Sequence, residues 1–155
     1  MAMKELVEAL AIITSHGQEA EFVGPIDASL IQHAEDLLGQ RLPPTYRRFL
    51  EELGAGDIWG DEFYGIVNEN LESSLVPNAV GVALEARRRG ELPERFLPVY
   101  DLGEGTTYAI DFSDGTGGEH PVVSWHGDPM FGVAVAATDF GAFLLETLKI
   151  ARASH

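Results

Sequence analysis

Apolar residues recur along the chain with two periods, a helical one near both ends and a strand-like one in between. From residue 3 to 16, Met3, Leu6, Val7, Leu10 and Ile13 fall on one helical face while Lys4, Glu5 and Glu8 fall elsewhere, and Gly17 ends the run. Residues 18–26 place Phe22 and Val23 ahead of a Gly-Pro break and predict a brief strand or an extended connection. A second helix is predicted from Asp27 or Ser29, either of which can cap it, with Leu30, Ile31, Ala34, Leu37 and Leu38 inward and Gly39 free to take the left-handed conformation that ends it. Pro44 suits the first position of a third helix, which buries Tyr46, Phe49, Leu50 and Leu53 and is stopped by Gly54 and Gly56.

The period then shortens. Residues 57–67 carry Ile58, Trp59, Phe63, Tyr64, Ile66 and Val67, interrupted by Gly60 and Gly65, and predict a strand or a bulged hairpin. Residues 68–78 read as loop, and residues 79–90 as a modest helix with Arg87, Arg88 and Arg89 in its last turn. Cations there complement the negative end of the helix dipole; an anion site is the alternative. A meander follows, with strands over 96–102, 107–112, 121–126 and 131–137 and turns or loops at 103–105, 113–119 and 127–129. Tyr108, Ile110 and Phe112 share one side of their strand, and Trp125 reads as core. A closing helix capped by Thr138 or Asp139 buries Phe140, Phe143, Leu144, Leu148 and Ala151. The pattern predicts an α+β fold: one domain over residues 1–155, with a mostly antiparallel sheet of five or six strands packed with N-terminal helices and a closing C-terminal helix.

Composition narrows the function. At 155 residues and 45% apolar content the chain supports one well-buried core. The lack of cysteine excludes disulfides and thiolate metal sites, which favours an intracellular, cytoplasmic home. The apolar run Ala9–Ile13 is too short for a membrane span. Ten basic against 25 acidic residues give a formal charge of −15, and no Lys or Arg occurs in 57–86 or 96–136. Such a surface repels phosphate backbones, so direct nucleic-acid binding is not expected; a basic protein would be attracted, although an acidic surface also serves solubility.

Catalytic and metal signatures are missing. The five histidines, among them His120 and His126, show no convergent metal-ligand spacing, and no cofactor is expected. Ser124 lies in a strand without a nucleophile elbow. The pairs Asp61–Glu62 and Asp101–Asp111 could in principle serve a small hydrolase, but chance pairs are common among so many acids. What remains is recognition. Asp57, Trp59, Asp61, Glu62 and Tyr64 interleave acids with aromatics, as suits an interface in which rings anchor and charges steer. The same pattern on a half-buried strand would instead put Trp59 and Tyr64 in the core. The candidate docking residues are Asp57, Asp61, Glu62, Tyr64, Asp101, Glu104, Asp114 and Asp128.

The ordered set Glu35, Gly39, Leu42-Pro43, Tyr46, Phe49-Leu50, Gly56 and Gly65 resembles the signature of the SUKH superfamily, which includes Smi/Knr-type fungal cell-wall regulators and many bacterial immunity proteins. Leu97-Pro98-Val99, Gly103 to Gly105, Tyr108 to Asp111, Pro121-Val122, Trp125 and Phe140 to Leu145 continue the likeness in order. The resemblance implies helices around a curved sheet and a non-enzymatic immunity protein that binds and neutralises a cognate polymorphic toxin. The negative charge agrees with a basic toxin such as a nuclease. A regulatory scaffold of the cell-wall kind is the alternative the resemblance leaves open.

Overall fold

The computed structural model describes residues 2–103, 105–115, 118–127 and 132–155. Five helices, α1 (Ala2–Ser15), α2 (Ala28–Leu38), α3 (Pro44–Glu52), α4 (Ala79–Arg88) and α5 (Phe140–Ala153), accompany seven strands in these residues. The strands are β1 (Ala20–Phe22), β2 (Gly56–Ile58), β3 (Asp61–Phe63), β4 (Phe96–Gly103), β5 (Thr106–Asp111), β6 (Val122–Trp125) and β7 (Val133–Ala137). They form one curved antiparallel sheet in chain order, so the architecture is α+β. Seven strands exceed the expected five or six because residues 57–67 yield two. β2 and β3 pair around the two-residue turn Trp59–Gly60, where φ is 53° and 84°, positive at both positions as tight hairpin turns demand.

The predicted helix boundaries follow their chemical signals. Gly39 takes φ 71° and closes α2, while Pro44 opens α3 at its first turn. Asp27 stands at the N-cap of α2 without a side-chain bond, whereas Asp139 caps α5 by accepting from the Ala142 amide at 2.8 Å. Glu35 is almost fully buried at the α2–α3 turn, where Oε2 accepts from the Leu42 amide at 2.8 Å and from Arg47 Nη1 at 3.0 Å. Glu119 reaches back across the fold to accept from the amide and hydroxyl of Thr45, both at 2.9 Å, at the N-terminus of α3.

Gly56 does not serve to stop the third helix. It begins β2, and a Cβ there would lie 2.1 Å from the Glu21 carbonyl oxygen, so only glycine lets β1 and β2 approach. Gly65 is similar, with the Gly54 carbonyl oxygen 1.9 Å from where its Cβ would stand.

Helices α1, α3 and α5 pack together against one side of the sheet. Phe49, fully buried on α3, meets Phe22, Tyr46 and Phe140. Tyr100 of β4 and Tyr108 of β5 meet Phe143 of α5 on the same side. Helix α4 lies against the other side of β4. Trp125 is half-buried rather than core: its ring packs on Phe96 at 5.3 Å and lines a cleft that Val82 and Ala86 of α4 also border. The two sheet edges differ. β1 is three residues long with exposed Glu21, whereas β7 is an uncharged run, Val-Ala-Val-Ala-Ala, with Val133 and Val135 facing solvent.

Candidate functional site

Side chains alternate along a strand, and residues paired across strands share a face. The register sets Glu21 opposite Asp57 and Asp57 opposite Glu62, while their neighbours Phe22, Gly56 and Phe63 face the helices. Three carboxylates therefore lie in one row across β1, β2 and β3 on the side away from α1, α3 and α5. Phe63 opposite Tyr100 carries the row on to Asp101 in β4, and Asp101 is opposite Thr107, which is opposite Trp125. The row reads Glu21, Asp57, Glu62, Asp101, Thr107, Trp125 across the sheet.

None of those four carboxylates has an ion-pair partner within 4.0 Å among the described residues. Five of the ten cations are engaged elsewhere: Arg47 with Glu35, Arg48 with Glu52, Arg88 and Arg89 with Glu85, and Lys149 with Glu8. Arg87 donates to the carbonyls of Glu94 at 2.7 Å and Leu38 at 3.4 Å, a use that ties down the end of α4. Like charges directly opposite one another on a sheet oppose folding.

Tyr64 stands beside this row, and burial together with the Asp101 and Glu62 carboxylates pushes its phenol up to about 12. It is buried, with its carbonyl oxygen accepting from the Tyr46 hydroxyl at 2.8 Å. Tyr64, Pro98, Asp101 and Trp125 line a cleft of about 320 Å³ together with Val82 and Ala86 of α4.

Of the predicted docking residues, Asp57, Glu62, Tyr64 and Asp101 thus come together on one face. Asp61 precedes Glu62 and faces the opposite way, where Oδ1 accepts from the Tyr100 hydroxyl at 2.6 Å. Asp114 is at the far end of the sheet, its carboxylate accepting from the Gly115 amide at 2.8 Å. Glu104 and Asp128 lie outside the described residues. Trp59 sits in the β2–β3 turn, half-buried, its ring edge-on to His16 at 5.0 Å and its indole N–H donating to Glu19. Glu21 joins the row only through the pairing of β1 with β2, because it is far from Asp57 in the chain; its place between Ala20 and Phe22 is the one signal the sequence carries.

The pairs weighed for hydrolysis do not converge. Asp61 and Glu62 point to opposite faces, and Asp111 Oδ1 is occupied by the Ser113 hydroxyl at 2.6 Å and amide at 3.0 Å. His120 is held against Phe112 and the Asp114 carbonyl, and His126 Nδ1 lies 3.1 Å from the Thr106 hydroxyl. Among the described residues no group of three or more His, Asp or Glu side chains is placed to hold a metal ion, and no helix is long and apolar enough to cross a membrane.

A family model described as SMI1-KNR4 cell-wall matches residues 28–144, from the start of α2 into α5. No curated protein matches the chain closely enough to stand as a relative.

Proposed function

Because the chain belongs to the SMI1-KNR4 cell-wall family, part of the SUKH superfamily, we propose that it is a protein-recognition module acting as an immunity protein: it binds a cognate basic protein toxin and turns nothing over. The observation that carries this reading is the row Glu21–Asp57–Glu62, extended by Asp101. Four carboxylates lie side by side, without an ion-pair partner among the described residues, on the face away from α1, α3 and α5. Such an arrangement opposes folding, and a cationic partner relieves it on binding. The charge also steers association, as in complexes where an acidic inhibitor meets a basic nuclease cleft.

The test is co-purification with the product of the adjacent gene, followed by rescue of its toxicity in a host. Asp57→Lys with Glu62→Lys should slow association at low salt and leave dissociation far less affected. An association rate that does not change removes this face as the docking surface. Capture of a cell-wall regulatory partner without any rescue favours the scaffold reading, which the family description also supports.

A further inference from the structure

The same end of the sheet carries a second feature on its opposite face. Between α5 and the helix-side face of the sheet runs a groove of about 380 Å³. Tyr100, Tyr108 and Phe143 line it, and their ring centroids are 5.4 to 5.8 Å apart, so the three mutually tilted rings make one aromatic cluster along it. Two carboxylates join them: Asp61 of β3, fixed by the Tyr100 hydroxyl at 2.6 Å, and Glu146 of α5. Leu102 and Ile150, both more than half exposed, complete the walls, and no Lys, Arg or His lines the groove among the described residues.

Rings present a negative π face, and carboxylates beside them add full charge; both attract a cation with apolar shoulders. A planar guanidinium satisfies both, stacking on a ring while its N–H fork meets a carboxylate. A neutral apolar chain would leave the charge of the two carboxylates uncompensated. We infer that the groove receives an arginine side chain of the protein partner and is the anchor of the complex, an inference that rests on the protein-recognition reading. Asp61 and Glu62 are consecutive, so a partner seated on this end of the sheet reaches the acidic row on one face and the groove on the other.

The experiment titrates the 155-residue chain with arginine amide, and with citrulline amide as a neutral near-isostere, following aromatic carbon-proton NMR signals. Arginine amide should shift the Tyr100, Tyr108 and Phe143 ring signals saturably, citrulline amide should not, and Asp61→Asn with Glu146→Gln should abolish the shifts while other signals hold. Ring signals that stay put with arginine amide, or that move equally with citrulline amide, overturn the inference. Against the cognate partner, the same double variant should bind at least about tenfold more weakly, as loss of a buried cation–π and ion-pair anchor implies. Wild-type binding retained by the double variant sinks the groove and spares the recognition reading. Arginine amide binding to a protein that captures no product of the adjacent gene does the reverse.

Discussion

Asp57→Asn isolates the acidic row, since Asn matches the shape of Asp and shares its low strand propensity. Asp57 is the middle carboxylate, opposite Glu21 on one side and Glu62 on the other, and its own carboxylate has no hydrogen bond or ion pair among the described residues. Each like-charge opposition costs roughly 0.2–1 kcal/mol, so relieving two should stabilise the fold by about 0.4–2 kcal/mol. In a chain of 155 residues that corresponds to a rise in Tm of about 1–8 °C at low ionic strength. Opposed side chains stand about 5 Å apart, inside the Debye length at physiological salt but beyond the roughly 3 Å reached at 1 M, so the gain should vanish in 1 M salt. Calorimetry at both salt concentrations, with the exposed Glu72→Gln as a control expected to stay within about 0.5 kcal/mol, makes the comparison. A Tm that falls at low salt, or a gain that survives 1 M salt, refutes repulsion as the cause and with it the argument that the row is maintained for a partner.

Other outcomes follow from single contacts. Phe49→Ala should cost about 3–5 kcal/mol in denaturant unfolding, because the ring is fully buried among Phe22, Tyr46 and Phe140. Glu35→Ala removes the buried acceptor of the Leu42 amide and Arg47 and should cost about 1–3 kcal/mol by the same measurement. Asp139→Ala should lose about 0.5–2 kcal/mol with the α5 cap. The Tyr64 phenol is raised in the fold to about 12 from an ordinary 10.0, so its contribution is intact below pH 10 and is lost as pH rises through 12. Alkaline unfolding of wild type against Tyr64→Phe should show that loss only in the wild type, and parallel curves would discount it.

Where chemistry at a single residue decides a boundary, reading the chain succeeded: Gly39, Pro44 and Asp139 stand where their backbone and capping preferences predict. Long alternating strands were equally legible, with Tyr108 and Ile110 sharing one side as expected, although β5 ends at Asp111, just before Phe112. The three-residue strands were not, since so short a stretch cannot display a period, and β2–β3 emerged from what read as one strand or a bulged hairpin. The recognition residues divided for a related reason. Consecutive acids such as Asp61 and Glu62 look like one cluster in a string of letters, yet a pleated backbone sends them to opposite faces. Glu21 and Glu146 join their respective groups only through pairing and packing across the whole chain.

The final strand has a consequence for how crowded this protein can become. Its open rim offers backbone donors and acceptors, flanked only by valine and alanine, to any extended chain that arrives. Nothing within those five residues discourages a neighbour from adding on. The deterrent is collective: an excess of fifteen negative charges keeps copies apart before their rims can meet. Acidification toward the isoelectric point near 4.5, where the net charge passes through zero, removes this guard while leaving the rim unchanged, and edge-to-edge growth into filaments becomes the expected failure of the molecule.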